Sequence, residues 1–135
     1  MSAVKSSYPL IGSRYRLQGK LGAGGMGVVY NAEDRLAGQN IALKRISLPH
    51  TSDGSSPSDS QNARYALSTE FRALASLRHP NIIAVVDYGF DSDRQPFFTM
   101  QLLEKPKPIS EAARSLDRKG KIKLLLEMMQ ALAYV

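Results

Sequence analysis

Between Lys20 and Tyr30 the chain reads KLGAGGMGVVY, with four glycines in the six positions from Gly22 to Gly27 and then a run of residues that favour a strand. Each glycine costs roughly 0.5 to 1 kcal/mol relative to alanine inside a regular element, so such a run persists only where the backbone gains from being bare. The usual gain is close approach to a ligand, and glycine-rich patterns bring backbone amides up to phosphates. A Walker loop needs Lys and then Ser or Thr directly after its last glycine, whereas Val28 and Val29 follow Gly27. A dinucleotide fingerprint must open a helix and be followed about 20 residues later by an acidic residue. Here Val28 to Ala32 is rich in β-branched and aromatic side chains, Arg35 to Asn40 supplies a turn, and Ile41 to Leu48 alternates again. The periodicity after the loop is therefore two. What remains is a glycine hairpin between antiparallel strands, able to fold over a nucleotide like a flap.

Gly22, Gly24, Gly27 and Val29 fit the pattern GxGxxGxV, and Ile41, Ala42, Leu43 and Lys44 in the next strand form a conservative version of VAIK. A glycine pattern alone matches by chance, but joined to a strand lysine at this distance it is specific. Together these residues resemble the eukaryotic-type protein kinases, and LGAGGMGVVY looks most like the bacterial (Hanks-type) serine/threonine group. The resemblance covers about residues 14 to 135. It implies an α+β fold, a kinase small lobe of five antiparallel strands and one helix, followed by the first helices of a large lobe. ATP as ligand and Mg2+ as its companion ion are implied as well.

The pattern along the chain agrees. Met1 to Ser13 reads as a flexible lead-in, and Tyr15, Leu17 and Leu21 alternate into the glycine loop as a first strand. After the strand that carries Lys44, residues 49–60 (PHTSDGSSPSDS) are a polar insert expected to be disordered. From Gln61 to Leu77 the period is helical, with Leu67, Phe71, Leu74 and Leu77 on one stripe. Pro80 of the RHPNI turn ends the helix. Ile82 to Tyr88 and Phe97 to Leu103 read as strands around a polar turn, which gives β, β, β, α, β, β. Residues 14–104 are thus expected to form the small lobe, and residues 105–135 the exit from it and the first large-lobe helices, Ile109 to Leu116 and Lys119 to Val135.

Lys44 shares a strand face with Ala42 and Ile46. By itself it could be an edge lysine reaching for water. Glu70 lies beside the apolar stripe of the helix, where a carboxylate needs a cation to meet it. The resemblance names that pair as catalytic: the lysine contacts the α and β phosphates, and the helix glutamate holds it there. It also implies a nucleotide site made of the loop Leu21, Gly22, Ala23, Gly24, Gly25, Met26, Gly27 and Val28, with Val29 and Ala42 over the adenine. Met100 would stand behind the adenine as gatekeeper, and the Gln101 carbonyl and Leu103 amide would bond its edge. Kinases often carry Glu where Gln101 stands, which matters little for a backbone contact. KPKPIS after Glu104 supplies no plain ribose partner, so ribose contacts stay unassigned.

Broader numbers set the limits. The chain has 135 residues, 43% hydrophobic, and no cysteine, so disulfides and thiolate chemistry are excluded. Two histidines build no metal site unaided. A net charge of +6 could point to nucleic acid, but the cations read as scattered, with only short groups at Arg118 to Lys123 and at Lys105 with Lys107. Neither a nucleic-acid nor a membrane partner is expected. No signal-peptide core or bilayer-length apolar run is present, so a cytoplasmic location is the default.

HRDxxxxN, DFG and APE motifs do not occur in these residues. The catalytic aspartate and the Mg2+ ligands are therefore expected in a missing C-terminal half, with no metal ligand here. The last helix is apolar on nearly every side and lacks a stop signal, as if cut in mid-helix. The expected function is the ATP-binding portion of a serine/threonine kinase that phosphorylates protein substrates when complete and is inactive alone. The alternative is a non-catalytic, pseudokinase-like nucleotide-binding or interaction module.

Overall fold

The computed structural model describes residues 9–25, 27–47 and 57–135, without the side chains of residues 57, 59, 60 and 63. In chain order the elements are β1 (Leu10–Ile11), β2 (Tyr15–Gly24), β3 (Gly27–Asp34), β4 (Gln39–Ile46), α1 (Pro57–Ser76), β5 (Val85–Phe90), β6 (Pro96–Met100), α2 (Ile109–Arg114) and α3 (Arg118–Tyr134). The strands form one antiparallel sheet in the order β1-β2-β3-β4-β6-β5.

Six strands stand where five were expected, because the end of the lead-in is itself a short strand. Ile11 is buried in the core, and Gly12 and Ser13, both at φ 56°, reverse the chain so that Ile11 pairs with Tyr15. Ser13 in this left-handed region is strained for a residue with a β-carbon. Residues 1–8 lie outside the described residues, as do 48–56 of the expected polar insert. Residues 57–60 of that insert belong to α1 rather than to a disordered segment.

Strand alternation divides the sheet into two faces. One face carries the core cluster Ile11, Tyr15, Leu17, Ala32, Ile41, Leu43 and Phe97, with Tyr30 packed against it. Leu43, fully buried, contributes about 1.5 to 3 kcal/mol by leaving water. Tyr15 and Phe97 meet edge to face at 5.8 Å.

Two buried aspartates brace the hairpins. Asp34 ends β3 and accepts from the backbone N–H groups of Leu36 and Ala37 at 3.0 and 3.3 Å, while Arg14 grips both of its oxygens at 2.8 and 2.7 Å. Asp91 repeats the device between β5 and β6: it accepts from the Asp93 and Gln95 N–H groups at 2.9 Å and from Arg45 Nε. Neither pairing was legible in the sequence, since the partners are 20 and 46 residues apart.

Helix α1 covers the other face of the sheet. Phe71 stacks on Tyr88 at 4.3 Å and on Phe98 at 5.8 Å. Asp117 caps α3 by accepting from the Gly120 N–H at 2.8 Å. The expected all-round apolar character of α3 appears as exposure: Ile122, Leu125, Leu126, Met129 and Leu132 are each more than half accessible. Among the described residues no helix is long and apolar enough to cross a membrane.

Candidate nucleotide-binding site

The glycine hairpin closes where Gly24 pairs with Gly27, with register shifts earlier in β2 at Leu17/Gly19 and Lys20/Gly22. Leu21, Gly22, Ala23, Gly24 and Gly25 are all exposed, and Met26 lies outside the described residues. The glycines have different reasons for being there. A β-carbon on Gly27, whose φ is 140°, would lie 2.0 Å from the Arg45 carbonyl oxygen, so the fold itself demands glycine. A β-carbon on Gly22, Gly24 or Gly25 would meet nothing within 4 Å, and none of the three has a left-handed backbone. Neither packing nor backbone conformation accounts for their bareness.

The register places the remaining candidates. Gly22 pairs with Val29, Val29 with Lys44, and Lys44 with Phe98; one step along, Asn31 pairs with Ala42 and Ala42 with Met100. Directly opposed residues share a face. Val29, Ala42, Lys44 and Met100 thus form one surface on the side covered by α1. Val28 alternates to the other side, so its backbone rather than its side chain belongs to the loop. β6 ends at Met100 instead of running to Leu103, because the Gln101 N–H turns to the Ala84 carbonyl at 3.2 Å. Leu103 is 43% exposed, and its N–H has no partner among the described residues.

Lys44 and Glu70 line the same cavity of about 200 Å³ between α1 and the sheet, walled by Leu67, Phe71, Leu74, Tyr88 and Phe98. They do not form an ion pair there. The Lys44 ammonium instead lies 5.9 Å from the centre of the Phe98 ring. The expectation that burial forces the pair is corrected: Phe71 is buried, but Glu70 beside it is exposed to water. A solvated carboxylate has no desolvation cost for a cation to offset. The cavity reaches Lys44 and Glu70 but neither the glycine hairpin nor residues 100–103.

Sequence reasoning missed Asn31. It sits in the row of Ala42 and Met100, and its side-chain oxygen is buried without a partner. The signal was available as the period-two step from Val29. Phe98, which the Lys44 ammonium approaches, was legible only as a strand residue.

Comparison with known sequences identifies the family. The profile of the protein kinase domain matches residues 15–135, and the chain belongs to that family. It is 39% identical over 97 residues to the DNA damage-responsive serine/threonine-protein kinase RqkA of Deinococcus radiodurans, covering 70% of this chain and 13% of that protein. A probable serine/threonine-protein kinase of Streptomyces coelicolor is 31% identical over 129 residues, 92% of this chain and 18% of its own length. PknA of Mycobacterium tuberculosis is 32% identical over 126 residues, 89% and 27% respectively. The chain thus spans less than a third of each of these relatives.

Proposed function

We propose that this chain binds ATP between the glycine hairpin and the Met100–Leu103 segment, as the nucleotide-binding part of a serine/threonine protein kinase. The observation that carries the reading is the bareness of Gly22, Gly24 and Gly25 without any reason inside the protein, beside a strand that holds Lys44. Bare amides there suit an approaching phosphate chain. Lys44 is the cation for the α and β phosphates, with Glu70 as its positioning partner. The pair stands open on either side of one cavity, and we infer that it closes when nucleotide draws the ammonium away from Phe98. Val29 and Ala42 cover the adenine, Met100 backs it, and the Gln101 carbonyl and the Leu103 N–H are free to read its edge. The unpartnered oxygen of Asn31 offers an acceptor on the same face.

ATP supplies the phosphoryl group that such kinases pass to a protein hydroxyl. This chain's residues orient the nucleotide. In the protein kinase family Mg2+ is held by the catalytic-loop and DFG motifs, neither of which occurs in this sequence, and we assign the ion to those motifs. A binding or scaffold module without catalysis is the second reading, favoured by the open Lys44–Glu70 arrangement and the exposed face of α3.

Calorimetric titration with MgATP tests the proposal. Saturable binding is expected, weakened by about tenfold in Lys44→Met, since a charge-assisted phosphate contact is worth about 1.5 kcal/mol. Absence of binding by the unaltered chain rejects the nucleotide site. In a polypeptide that also carries the HRD and DFG motifs, Lys44→Met should abolish phosphorylation of Ser and Thr; retained activity there rejects the role of Lys44 alone.

A further inference from the structure

Residues 105–123 contain seven basic and two acidic residues, so this short stretch holds a net +5 of the chain's +6. The two basic groups flank α2, which packs against α3. Lys107 lines one hollow with Ile109 and Ala112 of α2 and with Leu124, Glu127 and Met128 of α3. The cations of the stretch are exposed, and among the described residues Lys123 alone of them forms an ion pair, with Glu127 at 3.9 Å. Elsewhere Arg14 in the turn before β2 and the strand residues Arg16 and Arg45 are paired: Arg14 with Asp34, Arg16 with Glu33, Arg45 with Asp91 and Asp93.

Helix electrostatics sharpen the contrast. α2 follows the helix dipole, with Glu111 in its first turn and Arg114 in its last. α3 opposes it: Arg118, Lys119 and Lys121 crowd the positive end, and no acid lies in the first turn. One of the two acids, Asp117, is already engaged as the cap. The sequence accepts a less stable helix start and keeps a concentrated, unpaired positive surface.

We propose that this surface, from Lys105 through α2 to Lys123, docks an acidic polypeptide segment. Complementary charge sets the choice of partner. The stretch contains no Phe, Tyr or Trp. It therefore lacks the stacking platforms of single-strand nucleic-acid binders and the aromatic anchors of membrane-surface helices. Five of its seven cations are lysines. Lysines act as flexible point charges that need no fixed two-pronged geometry, which suits a pliable acidic chain. The proposal does not depend on the nucleotide site.

The test is fluorescence anisotropy of the full chain with a labelled Glu- and Ser-rich dodecapeptide, beside a Gln-for-Glu control, a labelled DNA duplex and phosphatidylserine-containing vesicles. Saturable binding of the acidic peptide is expected, at least about tenfold tighter than the control and weakening as salt rises to roughly 0.3 M. The double variant Arg118→Glu, Lys119→Glu should lose about tenfold or more in affinity, while its melting temperature stays level or rises because acids now occupy the first turn. That rise separates a lost surface from a lost fold. Equal binding of control and acidic peptides, unchanged affinity in the double variant, or tighter binding of the duplex or the vesicles would each overturn the proposal.

Discussion

Single residues in this chain carry two kinds of demand, and the glycine hairpin contains both. Gly27→Ala forces a β-carbon against the Arg45 carbonyl from a left-handed backbone, so a loss of about 2 to 4 kcal/mol is expected in chemical denaturation. Gly24→Ala meets open space and should change stability by less than about 0.5 kcal/mol, while weakening MgATP binding if the loop closes on phosphate. Equal losses of stability in both variants would mean that the hairpin is glycine-rich for folding alone. Asp34 makes a demand of another kind. The Arg14 guanidinium, bonded to it, and then the Ala37 and Leu36 N–H groups hold its carboxyl near pKa 2, well below the ordinary 3.8, against the opposing effect of burial. A depressed folded pKa stabilises the native state above the unfolded value and loses that contribution as pH falls through the folded one. About 2 kcal/mol should therefore disappear between roughly pH 4 and pH 2, and Asp34→Asn should flatten the melting-temperature profile over that window. Tyr15 works in the opposite direction. Burial, and then its bond to Asp87, push its hydroxyl up to about 12, so its contribution holds below pH 10 and fades as pH rises through 12. The glycine pattern and the strand lysine were legible as a family motif because they combine fixed residue types with fixed spacing. Asp34 was not, because its partner Arg14 is met only once β2 and β3 have paired.

At the scale of elements, periodicity located most segments, and local hydrogen bonds moved their ends. β5 begins at Val85 rather than at Ile82 because the Ile82 N–H closes a turn onto the His79 carbonyl at 3.1 Å. α1 was legible from its stripe, yet its placement depends on one aromatic contact that spacing does not reveal. Phe71 is 8% exposed and sandwiched against Tyr88 and Phe98, the ring that the Lys44 ammonium approaches. Phe71→Ala should cost about 3 to 5 kcal/mol and enlarge the cavity lined by Lys44 and Glu70. Phe71→Leu should cost less and keep α1 seated. If nucleotide affinity follows α1 seating, the leucine variant retains it and the alanine variant loses it under conditions where both remain folded. Identical affinities would disconnect α1, and Glu70 with it, from the nucleotide.

The whole molecule is built in two tiers of unequal burial. The sheet holds the entire core cluster, whereas α2 and α3 contain no buried residue. What ties α3 to the turn after α1 is narrow: the Asn81 side chain donates to the Glu127 carbonyl at 3.0 Å, the Arg78 N–H donates to Tyr134 Oη at 3.2 Å, and the His79 and Tyr134 rings stand 5.2 Å apart. Two exposed hydrogen bonds of about 1 kcal/mol each and one ring contact cannot match a buried sheet, so opening free energies should differ between the tiers. Hydrogen exchange of the full chain should show α3 amides exchanging through a local opening several kcal/mol below the global one that frees β3 and β4. Asn81→Ala should speed exchange in α3 by about fivefold, as expected for the loss of about 1 kcal/mol, and leave the strand amides unchanged. Uniform protection across α3 and the sheet, or acceleration of both by Asn81→Ala, would instead mean that the two tiers open as one cooperative unit.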